Sequence, residues 1–349
     1  MFDRRKFLTV AGAGAASLAL AACNGSAEPT DDEEPADEQP AADEQPAEPV
    51  TVRAVALKGP TAMGLVRFMN EVDNGNLADN DYSFDIVASP DEVTPLIAKG
   101  EVDIAAVPAN LASVLYNKTE KGVRAIAINT LGVLYICELG DTVHSVADLK
   151  GKTIYASGKG STPEYGLQYV LEKNGLVVGE DVQIEWKSEH AECVQALAMS
   201  SGPAVAMLPQ PFVTTAQAQN DQIRVALDLT EEWDAVQTGD EQSTMITGAA
   251  IVRAAFADEN PAAVDAFLEH YAESVDFVNE NVEEAAELVG SYDIVAAQVA
   301  QKAIPECNIV CITGDEMAEK LSGYLDVLAE QNPQAVGGAV PGDDFYYGA

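Results

Sequence analysis

Basic residues are scarce in this sequence. Its 349 residues include 19 Lys and Arg against 57 Asp and Glu, so the formal net charge is −38 at neutral pH. Binding to nucleic acid needs a basic surface that neutralises phosphates, and docking of a protein surface on an anionic membrane needs one as well. The charge therefore excludes both as activities of the folded part of the chain.

Aromatic residues and long hydrophobic runs are also few. Aromatic side chains make up 6% of the residues and hydrophobic residues 47%, so Ala, Val, Ile and Leu must form most of the core. This hydrophobic content excludes a disordered chain, and the length allows two domains. The apolar stretch at residues 8–22 is shorter than the roughly 20 residues that a membrane span needs, and no longer one follows it.

The N-terminus has the features of an export signal. Arg4 and Arg5 precede the apolar stretch, an arrangement typical of twin-arginine export. The stretch ends at residues 20–23 with the sequence LAAC, which resembles a bacterial lipobox. We therefore predict that residues 1–23 are a signal peptide and that Cys23 is lipidated. The alternative is a plain signal peptide with an incidental cysteine.

Residues 24–50 are predicted to be an unpacked tether. They contain ten acidic residues, five prolines and no Lys or Arg, and the segment ADEQPA occurs at residues 36–41 and again at 42–47. Mutual repulsion and proline keep such a segment extended. We expect an exported body on a stalk, held by lipid alone at the outer face of the cell membrane. That body, residues 51–349, has 16 basic and 46 acidic residues.

The body alternates between strand and helix patterns. Strands are predicted at residues 51–57, 82–88, 103–107, 123–138, 182–186, 204–208, 223–229 and 244–252, and residues 148–157 are predicted to form a turn and then a strand. Helices are predicted at 61–72, 91–100, 163–174, 191–199 and 212–219. A further helix is predicted to begin at 108–110, and the chain after residue 260 is mostly helical. The alternation predicts an α/β fold with largely parallel sheets.

Two long apolar runs, near residues 128–138 and 244–252, are predicted to connect two lobes through a hinge. Such a body has a cleft between its lobes. In open α/β sheets, ligands bind beyond the carboxyl ends of the strands, so the loops after the strands are the candidate binding elements.

The body resembles a known family. The stretches that carry the resemblance are residues 57–64, 99–110, 148–153, 165–175, 331–333 and 344–347. They are similar to the extracytoplasmic solute-binding proteins of ABC importers, within them to the nitrate/sulfonate/taurine class. The resemblance runs from residue 51 to the end. It implies the type II periplasmic-binding-protein fold, with lobe 1 at residues 51–130 and 248–349 and lobe 2 at 131–247, each a mainly parallel sheet flanked by helices.

The resemblance also implies a receptor and not an enzyme. The expected protein is a monomer without cofactor or metal that captures a small solute and delivers it to a membrane permease with its ATPase subunits. Two alternatives stay open. One is an enzyme of the same fold, of the kind that serves menaquinone or thiamine-precursor synthesis, although the export signal weighs against it. The other is a ligand sensor that passes nothing to a permease.

The loops after the strands are predicted to hold the ligand. Gly59 allows a close approach of the backbone, and a helix start offers free N–H groups and a positive dipole end that suit a carboxylate, sulfonate or phosphate. The resemblance places these loops at the cleft. The predicted ligand-binding residues are Lys58, Gly59, Pro60, Thr61, Met63, Pro108, Ala109, Asn110, Thr130, Gly158, Lys159, Gly160, Ser161, Thr162, Leu208, Pro209 and Gln210.

Lys58 and Lys159 are predicted to lie on different lobes of a body that contains few lysines. If Lys58 and Lys159 both face the cleft, they favour an anionic solute and help the lobes to close over it. The alternative is that both are solvated loop lysines.

Other motifs are incomplete or ambiguous. No complete dinucleotide fingerprint, P-loop or serine-hydrolase elbow is present, and residues 189–193 are better explained as an acidic helix start than as a metal site. Export permits disulfides. Cys307 and Cys311 can pair if the backbone near Pro305 is irregular, whereas a regular helix would strain the bond. Cys137 is predicted to be a buried thiol.

Overall fold

The computed structural model describes residues 49–237 and 243–349. The predicted signal peptide, Cys23 and residues 24–48 of the predicted tether lie outside the described residues. The strands are β1 (Thr51–Leu57), β2 (Asp81–Val87), β3 (Ile104–Pro108), β4 (Val123–Leu131), β5 (Leu134–Leu139), β6 (Thr153–Ala156), β7 (Gln183–Trp186), β8 (Ala204–Pro209), β9 (Ile223–Asp228), β10 (Ile246–Arg253) and β11 (Ile309–Ile312).

The helices lie mostly between these strands and at the C-terminal end. They are α1 (Pro60–Met63), α2 (Val66–Asp73), α3 (Pro90–Lys99), α4 (Ala109–Lys118), α5 (Thr162–Lys173), α6 (His190–Ala198), α7 (Phe212–Gln219), α8 (Leu229–Val236), α9 (Ala254–Glu259), α10 (Pro261–Glu280), α11 (Val282–Ser291), α12 (Ala297–Ala303) and α13 (Gly314–Gln331). Among these described helices, none combines the length and apolar character that a membrane crossing requires.

The described strands form two sheets. The first has the order β11-β4-β10-β3-β1-β2 and the second the order β7-β6-β8-β5-β9. In the first sheet β1 to β4 share one direction, and in the second β6 to β9 do. The two-lobed α/β fold is therefore confirmed. The exceptions are β5, β10 and β11, which run antiparallel to their neighbours and make both sheets mixed.

The chain passes twice from one sheet to the other, and the antiparallel strands β5 and β10 are the first strands after these two passages. The chain leaves β4 at Leu131 and enters β5 at Leu134, so the run predicted as one strand over residues 123–138 is two strands in different sheets. A strand that arrives from the other sheet needs no helical crossover, which only a parallel neighbour requires. The predicted lobe boundaries at 130/131 and 247/248 remain a prediction.

Aliphatic side chains fill most of the core, as the low aromatic content predicts. Two large clusters of buried Val, Ala, Ile and Leu cover the faces of the sheets. A small aromatic group packs three helices together, because Trp233 of α8 is fully buried between Tyr169 of α5 and Tyr324 of α13. The ring centroids lie 4.2 and 5.5 Å from that of Trp233.

The possible disulfide between Cys307 and Cys311 does not form, and both residues are free thiols. Cys307 is followed by β11, which contains Cys311. Asn308, whose φ is 43°, separates Cys307 from this strand, so the two cysteines do not lie on one regular element. Cys137 is fully buried, as predicted.

Candidate functional site

A cavity of about 360 Å³ is lined by residues of both sheets. Six strands end at it, β1, β2 and β3 of the first sheet and β6, β7 and β8 of the second. Each of these strands is followed by a helix, and residues at each junction between strand and helix contribute to the lining. The cavity thus lies at the carboxyl ends of the strands, where open α/β sheets bind their ligands.

Five helices of eight or more residues begin at the cavity wall. The residues that precede α3, α4, α5 and α6 line it, namely Ser89, Pro108, Ser161 and Glu189, and so does Phe212, the first residue of α7. The first N–H groups of a helix have no partner within the helix, and its N-terminal end carries partial positive charge. This wall is therefore suited to the oxygens of an anion.

Most of the lining is apolar or carries hydroxyl groups. The apolar residues are Leu57, Pro60, Ala88, Pro90, Pro108, Val133, Leu134, Pro163, Ala191, Pro209 and Phe212, and the hydroxyl residues are Thr61, Ser89, Thr130, Ser157, Ser161, Ser188 and Thr247. Gly158, Lys58, Glu189 and His190 complete it. An apolar cavity with a few polar groups is typical of sites for small organic ligands.

Two of the hydroxyl groups are held in place by hydrogen bonds to the backbone. Thr61 Oγ1 donates to Leu57 O at 2.7 Å, and Ser161 Oγ donates to Gly158 O at 2.7 Å. Their oxygens remain available as acceptors. Thr247 differs, because its buried Oγ1 has no hydrogen-bond partner within the described residues. An unpartnered buried hydroxyl in a cavity wall is a natural contact for a ligand.

His190 is the imidazole in the cavity wall. Its Nδ1 lies 2.6 Å from Ser157 Oγ, and its ring packs against Phe212 with 5.0 Å between the centroids. Burial lowers the pKa of His190 to about 4. The ring is therefore neutral near pH 7, and it offers one N–H donor and one acceptor rather than a charge.

The two lysines expected to face the cleft occupy different places. Lys58 lines the cavity, with its Nζ 3.7 Å from Asp293 Oδ2 in a solvent-exposed pair. Lys159 is exposed and outside the lining. Of the two lysines, Lys58 is therefore the one that lines the cavity, and the two-lysine arrangement stays a prediction.

Eight of the seventeen predicted ligand-binding residues line the cavity. These are Lys58, Pro60, Thr61, Pro108, Thr130, Gly158, Ser161 and Pro209. The others, which lie outside the lining, are Gly59, Met63, Ala109, Asn110, Lys159, Gly160, Thr162, Leu208 and Gln210. That the first group contacts a ligand stays a prediction.

The predicted residues outside the lining have other contacts. Met63 and Ala109 are fully buried in the hydrophobic core. Gln210 accepts hydrogen bonds from the backbone and hydroxyl of Thr214 through its Oε1. Gly59 supplies the turn between β1 and α1, and its φ of 133° is a conformation that L side chains rarely adopt.

Asn110 links the two lobes instead of facing the cavity. Its Nδ2 donates to Ala335 O at 3.0 Å and to Gly160 O at 3.4 Å, and its Oδ1 accepts from Thr162 Oγ1 at 3.3 Å. Three of the predicted ligand-binding residues therefore bond to one another at the cleft. They join the start of α4 to the start of α5.

The prediction omitted the junctions after β2 and β7. They contribute Ser89 to the lining, together with residues 188–191. The same strand-to-helix pattern marked both junctions, and a capping box formed by Ser89 and Glu92 fixes the start of α3. Residues 189–193 do form the start of a helix, as predicted. Within the described residues, no cluster of three His, Cys, Asp or Glu side chains forms a metal-binding group.

Replacing Gly248 of β10, the neighbour of the lining residue Thr247, with alanine is expected to destabilise the protein. A Cβ atom there would overlap with Asn129 Oδ1 and would lie 2.7 Å from Thr61 Cγ2. We expect a loss of about 1–3 kcal/mol of unfolding free energy, as for other overpacked sites, measured by denaturant unfolding. Gly323→Ala is the control, because its Cβ meets nothing within 4 Å and helix propensity favours alanine. Equal stability of the two variants would contradict the prediction.

The fold and the cavity together define a two-lobed ligand-binding protein of the periplasmic-binding-protein type. A family model described as ABC transporter, phosphonate, periplasmic substrate-binding protein matches residues 78–303. The chain therefore belongs to this family of substrate-binding proteins, which serve transporters, and the resemblance inferred from its sequence is confirmed. A comparison with curated protein sequences finds no match.

Solved structures of the same fold are distant in sequence. An ABC transporter protein from Parabacteroides distasonis is 23% identical with a TM-score of 0.68, over 85% of this chain and 98% of that one. The aliphatic sulphonate binding protein SsuA of Escherichia coli is 17% identical with a TM-score of 0.65, over 82% and 90%. The alkanesulfonate-binding protein SsuA of Xanthomonas axonopodis pv. citri, bound to MOPS, is 13% identical with a TM-score of 0.64, over 85% and 96%.

Proposed function

We propose that the chain captures a small organic oxyanion, a phosphonate or a sulfonate, in the cavity between its lobes and delivers it to the permease and ATPase of an importer. The observation that carries the proposal is the convergence of five helix N-termini on one cavity lined by both lobes. Such a wall stabilises anionic oxygens without a buried cation. A phosphonate family model and sulfonate-binding neighbours support the same ligand class.

The cavity favours an organic anion over an inorganic one. Its volume of about 360 Å³ lies in the range of sites for small organic molecules, roughly 300–1,000 Å³. Val133, Leu134 and Phe212 provide an apolar wall beside the polar one, and a hydrocarbon group gains free energy by leaving water there. We therefore assign the head group to the helix N-termini and the carbon chain to this wall.

Capture by closure follows from the position of the cavity. Its lining comes from both lobes, so a ligand reaches all of its contacts only when the lobes are together. A ligand that binds the closed form better shifts the population towards it. Delivery then needs a permease that recognises the closed form. We propose that the protein works as a monomer, without catalysis, and that lipidated Cys23 and the tether of residues 24–50 keep it at the outer face of the membrane.

The test is a binding panel on the purified full chain, measured by calorimetry. Butylphosphonate, butanesulfonate and MOPS are the expected ligands, and inorganic phosphate, sulfate and nitrate are expected to bind more weakly. Butanol, which has the hydrocarbon but no charge, is the matched control and is expected not to bind. Binding of butanol with the affinity of the anions, or binding of none of the organic anions, would overturn the proposal.

The two lysines are expected to differ in their effect on ligand affinity. Lys58→Ala removes the ammonium at the cavity wall and should weaken binding of butylphosphonate about 3- to 10-fold, since a charged hydrogen bond in a partly exposed site contributes about 1 kcal/mol. Lys159→Ala is the matched control, because Lys159 is an exposed lysine outside the lining. It should leave affinity unchanged. Equal losses in the two variants would instead indicate a long-range effect of charge.

A further inference from the structure

Ser157, which is buried, and His190, which is half-buried, form a hydrogen-bonded pair in the cavity wall of the second lobe. Ser157 follows β6 and is 1% exposed, and His190 begins α6. The Oγ of Ser157 lies 2.6 Å from Nδ1 of His190. Within the described residues, no other group hydrogen bonds to the imidazole. Nε2 is therefore the ring nitrogen left for a ligand in the cavity.

The hydroxyl proton of Ser157 has one strong acceptor within reach, which is His190 Nδ1. Cys193 also neighbours Ser157, but burial raises the pKa of its thiol to about 11 even though a hydrogen bond with Ser157 lowers it. The thiol is therefore protonated and is only a weak acceptor. Because a buried hydroxyl proton without an acceptor is costly, donation from Ser157 Oγ to Nδ1 has a lower free energy than the reverse arrangement. The ring proton of a neutral imidazole then lies on Nε2.

We propose that Ser157 is a positioning residue that holds His190 in the Nε2–H tautomer, so that the imidazole donates a hydrogen bond to the ligand. The inference rests on the proposed function for the chemistry of that ligand. The oxygens of an ionised oxyanion only accept hydrogen bonds, and the opposite tautomer would present a lone pair to them. The contact between His190 and Phe212 keeps the ring in the orientation that this geometry requires.

The tautomer can be read directly in the ligand-free full chain. Long-range ¹H–¹⁵N spectra near neutral pH distinguish a protonated from an unprotonated ring nitrogen. The sequence has three histidines, so His190→Gln assigns the signals. We expect protonated Nε2 and unprotonated Nδ1 in the wild type and a mixture of tautomers in Ser157→Ala. Protonated Nδ1 in the wild type, or an unchanged spectrum in Ser157→Ala, would overturn the proposal.

Ser161→Ala is the matched control for these spectra. Ser161 is a second buried serine of the same wall, and its hydroxyl donates to Gly158 O instead of to His190. This variant should leave the tautomer of His190 as it is in the wild type. A change as large as that of Ser157→Ala would show that loss of any hydroxyl disturbs the wall, and would contradict a specific role for Ser157.

A double-mutant cycle tests whether Ser157 acts through His190. The probe is butylphosphonate. Ser157→Ala should weaken its binding about 10-fold when His190 is present, but less than about 2-fold when it is combined with His190→Gln. The reason is that the amide N–H of glutamine donates a hydrogen bond without a choice of tautomer. Equal losses in both backgrounds would mean that Ser157 bonds to the ligand itself. If the probe fails to bind the wild type, the proposed ligand class fails, and the ligand-free spectra still decide the tautomer.

Discussion

The protein is expected to unfold at a much lower temperature in dilute buffer than in concentrated salt. We expect the midpoint of thermal unfolding to rise by about 10 °C or more between 0.1 and 1 M NaCl, which corresponds to roughly 6 kcal/mol for a folded part of about 300 residues with an unfolding entropy of about 2.1 cal/mol/K per residue. The reason is the repulsion among carboxylates. Over residues 51–349 there are 46 acidic and 16 basic residues, so most carboxylates have no cation to pair with.

The repulsion is also local. On α11 the first two turns carry Glu283, Glu284 and Glu287, directly after Glu280 at the end of α10. Carboxylates four residues apart on a helix destabilise it by a few tenths of a kcal/mol each. The range over which such charges act is about 10 Å at 0.1 M salt and about 3 Å at 1 M. Salt therefore removes the repulsion between neighbours of this spacing.

The measurement is a series of thermal scans in NaCl, with sucrose as the control. Sucrose strengthens burial through its exclusion from the protein surface, but it screens no charge. Ligand-free protein is used throughout, because an anion that binds the cavity would stabilise the fold by mass action. A midpoint that is the same at 0.1 and 1 M NaCl, or one that rises as much in sucrose, would contradict electrostatic repulsion as the cause.

The elements that the sequence predicted well are fixed by local signals. The strand at residues 51–57 agrees with β1 at both ends, because alternation and β-branched residues act within the segment. The helix predicted to end at a glycine does so, and Gly100 caps α3 in the left-handed conformation. Pro163 lies in the first turn of α5, as predicted. Such signals are sufficient to predict the order of strands and helices along the chain, and from that order the fold class.

The candidate site was predicted less completely, because its residues depend on distant partners. Asn110 was placed at the ligand by its position at a helix start, yet its amide is taken by the carbonyl of Ala335, 225 residues away. No local pattern reveals such a bond. Met63 shows the same limit, since a residue near a binding loop can equally point into the core.

The contact between Ser157 and His190 could not be predicted without knowing which strands are neighbours in the sheet. They are 33 residues apart. The parallel pairing of β6 with β7 places Ala156 opposite Trp186, and so brings the residues after the two strands together. Strand and helix positions alone do not specify which strands are neighbours. With that pairing known, the histidine at the start of α6 would have been a candidate for the cavity wall.

Removal of the Asp103 carboxylate is expected to be the most damaging single substitution in the first lobe. Asp103 is 1% exposed, and its carboxylate accepts hydrogen bonds from Arg53 at 2.8 and 2.9 Å and from Arg253 at 2.5 Å. Its backbone bonds to both arginines as well. These contacts tie β1, β3 and β10 together at the end of the sheet opposite the cavity. Asp103→Ala leaves two guanidinium groups without their partner, and because both reach solvent we expect a loss of about 2–3 kcal/mol.

The matched control for Asp103→Ala is Asp85→Ala. Asp85 is an exposed aspartate on β2 of the same sheet, and its loss should change the unfolding free energy by less than about 0.5 kcal/mol. Denaturant unfolding of both variants near neutral pH makes the comparison. Similar stabilities would mean that the buried cluster contributes no more than a surface charge, which would contradict the prediction.

The pH dependence separates the charge of Asp103 from its packing. Burial alone would raise the pKa of its carboxyl, but hydrogen bonds from Arg53 and Arg253 outweigh this and lower the pKa below its usual value. A carboxyl with a lowered pKa stabilises the fold fully above its unfolded pKa of about 4, and this contribution is lost as the pH falls through the folded value. The difference in stability between the wild type and Asp103→Asn should therefore be constant between about pH 5 and pH 7 and shrink in stronger acid. A difference that persists unchanged in acid would assign the loss to packing, because the protonated carboxyl and the amide carry the same charge.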